Sequence, residues 1–436
     1  MLSPHIRSTF LDFFTARGHR PVPSGSLLPP DPSLFVANAG MNQFKPWFLG
    51  DVEPGFPRAT SVQKCVRTVD VDNIGYTRRH STFFEMLGNF SFGDYFKPET
   101  IAFAYELLTE HFGLSRDRLW ITVYEDDDES ERIWRAVGVP SSRIQRMGAA
   151  DNFWSMGVPG PCGPCSDVTY DRGPSFGSDG GPAVDPERFV EVWSLVFMRS
   201  VRGESGPDGD FPILGELPRT GVDTGLGLDR LAAILQDVAG AVETDLLRPT
   251  LATVEESAGR GYSPVDRENP DRVSFEVVTD HARAIAFLLA DGIRPGKEGT
   301  GYVLRRLMRR AIRHGRRLGI EGAILPPITA SVVRNLGPSW PELTLAAPLI
   351  EDVTAREEES FDRVLTRGTR MVDRAIRRRL AAGESDLPAE TVFTLYDSHG
   401  YPPDLTIEAA RESGLTVDHP HLRTLLPTLT PTPNEK

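Results

Sequence analysis

The spacing of apolar positions divides the chain into a mixed first part and a helical second part. Residues 119–125 (LWITVYE) and 188–198 (RFVEVWSLVFM) are short runs of β-branched and aromatic side chains, which are typical of strands. Residues 101–113 (IAFAYELLTEHFG) carry apolar side chains at helical spacing and end on a glycine, as capped helices do. Gly/Pro-rich segments separate these runs, without regular strand–helix alternation. Residues 1–240 therefore predict an α+β domain built on a mainly antiparallel sheet.

The pattern becomes helical from residue 241. In residues 301–319 (GYVLRRLMRRAIRHGRRLG), the apolar side chains that share one helix face are Leu304, Leu307, Met308, Ala311 and Ile312. Residues 351–380 alternate charged and apolar side chains at the same spacing. We expect residues 241–415 to form an all-helical domain, and the Pro/Thr-rich residues 416–436 to form a disordered tail.

Composition excludes several classes of protein. The chain has 436 residues and three cysteines, Cys65, Cys162 and Cys165, which are too few for a disulfide framework. Its apolar runs are shorter than the roughly 18 to 20 residues that span a bilayer, and its amphipathic N-terminus lacks the apolar core of a signal peptide. We therefore expect a cytoplasmic protein without a membrane partner, and we expect it to be a monomer.

The charge of the chain is unevenly distributed. The net charge of −13 argues against non-specific nucleic-acid binding by the chain as a whole, yet residues 305–317 contain seven arginines. In a helix, arginines 305, 309, 313 and 316 fall along one side. A solvated surface face and a helix that follows a phosphate backbone both fit this pattern, and the sequence leaves the two interpretations open.

The first candidate for chemistry is the segment 61–97, in which a β-type run ends at Arg67 and a polar loop returns into an aromatic run. This order predicts a hairpin with a long tip. A core hairpin with a solvated tip is one interpretation. The functional interpretation is that Arg67 binds a phosphate through its planar fork and that Phe83 or Phe84 offers a ring to a stacked base.

The second candidate is the segment 219–236 (RTGVDTGLGLDRLAAILQ), where Asp223 ends an extended run and Arg230 lies in the first turns of a helix. The glycine spacing does not fit a dinucleotide-binding fingerprint, and no Gly-Lys-Ser/Thr follows as in a P-loop. An arginine at such a strand–glycine–helix corner suits a triphosphate contact, although corners of this kind also occur as pure structure.

The third candidate is the segment 151–173, which contains Cys162-Gly163-Pro164-Cys165. A zinc site would need two more ligands at metal spacing, and a thioredoxin-type dithiol would open a helix in a βαβ unit. We expect neither, and hence no zinc. The prolines predict a rigid loop that shapes a pocket wall.

Together these segments are similar to the first half of alanyl-tRNA synthetase, a class II aminoacyl-tRNA synthetase. The resemblance runs from about residue 5 to residue 415. Its motifs, in chain order, are FVANAGMNQFKPWFLG, TFFEMLGNFSFGDYFK, DNFWSMG, PGPCGPC, VDTGLGLDR, GYVLRRLMRRAIRHG and LYDSHGYPPDLT. The resemblance implies the class II fold, an antiparallel sheet flanked by helices, followed by a helical domain that recognises the tRNA acceptor stem.

The resemblance also assigns residues to the partners ATP, L-alanine and tRNA. Arg67 would hold the α-phosphate and Arg230 the γ-phosphate, and both would be catalytic. The nucleotide would also contact Phe84, which stacks on adenine, and Met86, with Mg²⁺ on ligands that we do not name. The residues assigned to the amino acid are Trp154 and Val196 as walls, Ser194, Asp223 for the ammonium group, and Gly225, which leaves room for a small side chain. Those assigned to tRNA are Lys297, Arg305, Arg309, Arg313 and Asp397.

Two of these positions depart from the family pattern. Ser194 replaces an asparagine whose amide helps to fix the substrate. Lys297 replaces an asparagine that reads the identity base pair of the tRNA, whereas Asp397 of the second reading motif is present. A lysine donates hydrogen bonds but accepts none, so it would hold a phosphate without reading a base.

Length is a third departure. The family continues into an editing domain with a His/Cys zinc site and then an oligomerising part, while this chain ends in Pro/Thr-rich residues that do not follow the family pattern. We interpret it as a naturally short paralogue. Editing matters because one methyl group is worth only about 1–3 kcal/mol in a small apolar pocket.

Three functional hypotheses follow. The first is a ligase that activates L-alanine with ATP and transfers it to tRNA. The second keeps the adenylate but alanylates a non-tRNA acceptor, such as a small molecule in a specialised pathway. The third is an inactive paralogue that binds tRNA or an adenylate as a regulator, against which the presence of Arg67, Asp223 and Arg230 argues.

Overall fold

The computed structural model describes residues 1–31, 34–206, 210–264 and 269–426. The chain divides between Pro249 and Thr250 into two compact units, so that the boundary lies slightly beyond the predicted residue 240. Among the described residues, no helix combines the length and the apolar character that a membrane crossing requires.

The strands of the first unit form one mainly antiparallel sheet, as predicted. They are β1 (Arg20–Pro21), β2 (Arg58–Val66), β3 (Phe83–Phe92), β4 (Leu119–Tyr124), β5 (Ile144–Met147), β6 (Phe153–Ser155), β7 (Gly160–Asp171), β8 (Phe189–Arg202) and β9 (Ile213–Gly227). Their spatial order is β1-β2-β3-β9-β8-β7-β4-β5, and β6 pairs with β7 off this path. Only the β1–β2 and β4–β5 pairs are parallel among these described strands. The α+β prediction and the predicted strands at 119 and 188 are confirmed.

Six helices accompany the sheet in the described part of the first unit. They are α1 (Ser3–Thr15), α2 (Lys45–Leu49), α3 (Lys97–Glu106), α4 (Asp128–Ala136), α5 (Ala149–Asn152) and α6 (Leu228–Leu235). Helix α1 buries an aromatic face, in which the rings of Phe10 and Phe14 lie 5.6 and 6.3 Å from that of Trp193 on β8. Because side chains alternate along a strand, this contact defines the back face of the sheet and leaves the neighbours of Trp193 on the front face.

The second unit is helical, with one addition. Its helices are α7 (Arg248–Ala258), which begins just before the boundary, α8 (Pro270–Ala290), α9 (Gly299–Arg317), α10 (Leu325–Leu336), α11 (Pro341–Leu345), α12 (Ala347–Ala381), α13 (Ala389–His399), α14 (Pro403–Glu412) and α15 (His419–Leu425). The five apolar side chains predicted to share a face of α9 are all buried.

The predicted helical character of this unit is confirmed, and two short strands, β10 (Asp386–Leu387) and β11 (Thr416–Val417), pair in parallel beside its helices. One prediction for this unit is wrong. The tail does not begin at residue 416, because β11 and α15 occupy residues 416–425. The apolar Leu422 and Leu426 are buried here and outweigh the local proline content. Residues 427–436 of the predicted tail lie outside the described residues.

Candidate active site

The front face of the sheet brings together the residues predicted to bind the amino acid. Asp223 of β9 pairs in register with Val196 of β8, and Gly225 pairs with Ser194. Alternation directs these four positions to one face. Trp154 of β6 packs against an apolar cluster that includes Val196 and Met86. The structure therefore gathers the predicted amino-acid pocket from three strands, β6, β8 and β9.

Asp223 is the most unusual group in this pocket. The sequence predicts Asp223 at the end of an extended run, but the strand continues to Gly227. Asp223 therefore lies within the strand. Its side chain is buried, and its Oδ1 has no hydrogen-bond partner among the described residues. Burial raises the pKa of the Asp223 carboxyl to about 7. A buried carboxylate without a partner is costly, so the site favours a cationic ligand that supplies one.

Gly225 packs closely against Met86 beside this carboxyl. A Cβ added to Gly225 would lie 2.8 Å from the Sδ of Met86, which is closer than real Cβ contacts. The thioether is itself held in place, because the backbone N–H of Gly40 donates to it at 3.2 Å. A larger residue at position 225 would therefore have to displace the side chain of Met86.

Arg67 lies immediately after β2, where the hairpin tip begins, as predicted. Its guanidinium lies 5.0 Å from the centre of the Phe84 ring, and its Nε donates to the carbonyl oxygen of Asn38 at 3.5 Å. Within the described chain it makes no ion pair with an acidic side chain. Its charge is therefore available to an anion.

Arg230 lies in the first turn of α6, also as predicted. Its Nε donates to the carbonyl oxygen of Arg79 at 3.1 Å, and its Nη1 lies 3.2 Å from the carboxylate of Glu191. The backbone N–H of Arg67 donates to the carbonyl oxygen of Thr82 at 3.0 Å. Both arginines are thus anchored to residues 79–82 at the end of the hairpin tip.

Sequence reasoning missed a second carboxyl at the site, the half-buried Asp167 of β7, which pairs in register with Ser194. Asn152 donates to its Oδ2 at 2.8 Å, and Ser194 also forms a hydrogen bond with it. Burial and the nearby Glu191 raise the pKa of Asp167 to about 8. The hydroxyl of Ser194 is therefore engaged by a largely protonated acid on the pocket floor. Alternation along residues 165–170 would have revealed Asp167, had this segment been recognised as a strand.

The predicted Gly/Pro loop around Cys162 is wrong, because the segment lies on β7. Proline is tolerated here because the ladder with β8 shifts register between Cys162 and Cys165. Close packing also requires Gly163, where a Cβ would lie 2.1 Å from the carbonyl oxygen of Phe197. Burial raises the pKa of Cys162 to about 11 and that of Cys165 well above its ordinary value, so both are thiols at neutral pH.

The arginines of α9 meet acidic side chains of the second unit. Arg305 and Arg309 lie 3.4 and 2.9 Å from the same carboxylate oxygen of Glu357 on α12. Further along, Arg316 pairs with Asp362 at 2.6 Å. The arginine-bearing side of α9 is therefore neither a fully solvated face nor a row of unpaired cations. Its assignment to tRNA stays a prediction. Lys297, before α9, and Asp397, on α13, are exposed.

The buried side of α9 carries a network centred on Glu408 of α14. Its carboxylate accepts hydrogen bonds from Arg310 at 3.0 Å, Arg313 at 2.6 Å and His314 at 3.1 Å. Burial alone would raise the pKa of Glu408, but His314 and the two arginines hold it well below its ordinary value. His314, Glu408 and Glu412 are also the one group of potential metal ligands within 4.8 Å of one another in the described chain. The neighbouring arginines would repel a cation there.

Replacing Glu408 with Gln is expected to lower the free energy of unfolding by about 3–5 kcal/mol, because the change leaves buried guanidinium charge uncompensated. Denaturant titration monitored by circular dichroism measures the loss. The matched control is Glu412→Gln, since Glu412 also pairs with Arg313 but has a more exposed side chain, at 23% against 8%. We expect at most about 1 kcal/mol for the control. Equal losses in the two variants would contradict a buried role for Glu408.

The chain is similar in sequence to known tRNA synthetases. The family model described as tRNA synthetases class II (A) matches residues 5–428. The alanine–tRNA ligase of Streptomyces avermitilis is 51% identical over 432 residues, 98% of this chain and 48% of its own length. Those of Frankia alni and Mycobacterium tuberculosis strain H37Rv are 51% and 49% identical, with the same coverage. The chain spans about half the length of the curated relatives it matches.

Solved structures add little. The apo histidyl-tRNA synthetase of S. aureus aligns over 54% of this chain and 66% of its own, with a TM-score of 0.34 and 12% identity, and this likeness is too weak to support an argument. The family model covers nearly all of the chain and the sheet is the mainly antiparallel one that the resemblance implied. The chain belongs to the class II (A) family of tRNA synthetases.

Proposed function

We propose that the chain activates L-alanine with ATP to form alanyl-adenylate and transfers the alanyl group to tRNA. The observation that carries this proposal is the buried, unpartnered carboxyl of Asp223 beside Gly225. A carboxyl in that position pairs with an α-ammonium group, and the restricted space at Gly225 admits a methyl side chain. The relatives named alanine–tRNA ligase, which this chain matches over half their length, support the same substrate.

ATP would bind toward the hairpin end of the pocket. Arg67, which has no acidic partner among the described residues, would hold the α-phosphate, and Phe84 beneath it would stack on adenine. Arg230 would exchange its contact with Glu191 for the γ-phosphate. Magnesium typically binds through one or two carboxylates together with the phosphates, and Glu191 is the half-exposed carboxylate beside Arg230. The ion would supply charge neutralisation on the triphosphate.

The reaction needs no protein nucleophile. A carboxylate oxygen of alanine attacks the α-phosphorus, a new P–O bond forms, and the bond to the leaving pyrophosphate breaks. Negative charge builds on the α-phosphate oxygens as this happens. A preorganised guanidinium at those oxygens stabilises the transition state more than the ground state, which is the role proposed for Arg67.

Alanine-dependent ATP–pyrophosphate exchange tests the first step, and alanyl transfer assayed side by side with tRNA and with candidate small acceptors tests the second. Exchange with alanine in excess of glycine and serine is the expected result. An absence of exchange with every small amino acid would reject both enzymatic hypotheses in favour of an inactive paralogue.

A second candidate acceptor is a non-tRNA molecule. The observation that favours it is the neutralisation of Arg305, Arg309 and Arg313 by acidic side chains of the second unit, together with Lys297 in place of a base-reading asparagine. A tRNA ligand would have to compete with these ion pairs for the arginines. Strong alanylation of a small acceptor with no charging of tRNA would establish this candidate over the first.

If the chain charges tRNA, Lys297→Asn is expected to improve discrimination between alanine tRNA and non-cognate tRNA by about 5- to 100-fold. An amide both donates and accepts, so it distinguishes base edges by about 1–3 kcal/mol, whereas an ammonium only donates. The ratio of kcat/KM values for the two tRNAs measures the change. An unaltered ratio would reject base reading at this position.

A further inference from the structure

The strand that carries Asp223 is partly detached from its neighbour at the site. The ladder between β3 and β9 is paired at Met86–Gly227 and Leu87–Leu226 and resumes at Phe90–Asp223. In between, where the two strands are not paired, the backbone N–H of Asn89 donates at 3.2 Å to the side-chain oxygen of Thr224. The short stretch that includes Gly225 is thus joined to β3 through side chains.

A buried chain of hydrogen bonds continues from this junction. The hydroxyl of Thr224 donates to the Oδ1 of Asn89 at 2.6 Å, and the Nδ2 of Asn89 donates to the hydroxyl oxygen of Tyr95 at 2.9 Å. The Tyr95 hydroxyl lies 2.7 Å from the Nε2 of His19, whose Nδ1 lies 3.1 Å from the carbonyl oxygen of Phe14. All four side chains are buried. This series of hydrogen bonds therefore connects β9 to the end of α1 across the back of the sheet.

With a neutral imidazole at His19, only one arrangement of protons satisfies every link. Asn89 donates to the hydroxyl oxygen of Tyr95, the Tyr95 proton points to the Nε2 of His19, and His19 carries its own proton on Nδ1 toward Phe14. Burial lowers the pKa of His19 to about 4, so the imidazole is neutral across the physiological range. The hydrogen bonds are accordingly directional, and none competes with another.

We infer that Thr224, Asn89, Tyr95 and His19 are positioning residues that set where Asp223 and Gly225 stand in the amino-acid pocket. Thr224 lies between these two on β9 and faces the opposite side of the sheet, so any rotation of the strand moves the carboxyl and the pocket floor together. β8 pairs with β9 throughout this stretch, which leaves the β3 side as the one held by side chains. A shift of about 1 Å at a reacting group is enough to cost about a hundredfold in rate.

The inference rests on the proposed function, and Thr224→Val tests it with little change in volume. Loss of the hydroxyl leaves the N–H and Oδ1 of Asn89 without this partner. We expect the KM for alanine in ATP–pyrophosphate exchange to rise about tenfold, the equivalent of one buried hydrogen bond with its orphaned partner, while the KM for ATP stays within about twofold. Thr224→Ser retains the hydroxyl and should restore the alanine KM.

The matched control is Thr60→Val. Thr60 is as buried as Thr224, and its hydroxyl donates to the carbonyl oxygen of Gly88 on β3 at 3.0 Å, so this bond joins β2, and not β9, to β3. It should lose stability without a change in the alanine KM. Tyr95→Phe removes the hydroxyl that links Asn89 to His19, two hydrogen bonds away from Thr224, and should raise the alanine KM about threefold. Equal alanine KM values in Thr224→Val and wild type, or an equal rise in the control, would overturn the inference.

Hydrogen exchange of the backbone amides separates the inference from the proposed function. Faster exchange at residues 222–226 in Thr224→Val, but not in Thr60→Val, is expected whether or not alanine is the substrate. Unchanged exchange at these residues would refute the positioning role even if the wild type proves active with alanine. A wild type that shows no alanine-dependent activity, with the exchange result as expected, would reject the proposed function alone.

Discussion

Replacing Arg67 with Ala is expected to lower the rate of alanine-dependent ATP–pyrophosphate exchange by about 10²- to 10³-fold. The guanidinium is proposed to meet charge that develops on the α-phosphate, and removal of one such preorganised donor typically costs about 3–4 kcal/mol of transition-state stabilisation. We expect a lower kcat together with a higher KM for ATP. The effect on kcat follows because the ground-state triphosphate gains less from the contact than the transition state does. Steady-state exchange at saturating alanine measures both constants.

Arg67→Ala also removes the cation–π contact of Arg67 with Phe84, and Arg20 provides a control for that loss. Arg20 lies 4.9 Å from the centre of the Phe56 ring, whereas Arg67 lies 5.0 Å from that of Phe84. Arg20→Ala therefore removes an equivalent cation–π contact from the same unit and should leave exchange unchanged. Arg67→Lys should recover only part of the rate, because an ammonium lacks the planar fork. Near-wild-type exchange in Arg67→Ala would remove this residue from the proposed phosphate site.

Asp223→Asn is expected to reduce kcat/KM for alanine by about 30- to 1,000-fold while leaving the KM for ATP nearly constant. The variant keeps the size of the side chain but loses the charge that pairs with the ammonium group, and loss of one partner of a buried charged pair costs about 2–4 kcal/mol. Asp245→Asn is a suitable comparison, because Asp245 accepts hydrogen bonds from Ser3 on the same unit and has no assigned role in the pocket. Comparable losses in both variants would indicate a structural effect.

The same carboxyl predicts how alanine binding depends on pH. Its pKa in the free site is raised to about 7 by burial, so the ionised form that binds an ammonium group predominates only above that pH. Alanine itself stays protonated on nitrogen throughout the range. The KM for alanine should therefore rise about tenfold for each unit below pH 7 and level off above it. Asp223→Asn should abolish this slope, and a slope that persists in the variant would point to another group.

Much of the architecture could be predicted because it depends on local order. The β-branched runs at 119 and 188 are strands, and the arginine-rich segment at 301 is a helix with its predicted apolar face buried. Arg67 and Arg230 lie where the motifs put them, directly after a strand and in the first turn of a helix. These elements could be predicted because they depend on residues that are neighbours in the sequence.

The predictions failed where distant parts of the chain decide the outcome. The segment around Cys162 has loop-like composition, yet pairing with β4, β6 and β8 makes it a strand and places Asp167 beside Ser194. Residues 416–425 seemed too rich in polar and proline residues to order, but β11 pairs with β10 and α15 buries Leu422. Local propensity is a weak preference that tertiary pairing overrides.

The sequence by itself determined the family, the strands at 119 and 188, the helix at 301, and the identity of Arg67, Asp223 and Gly225 as candidates. Only the tertiary structure decided that the arginines of α9 are neutralised by Glu357 and Glu408, and that Thr224 joins β9 to β3 through its side chain where the two strands are not paired. The reason is physical. Periodicity shows which face of an element is apolar, but the charge of a buried arginine and the position of a detached strand depend on partners that folding brings from far along the chain.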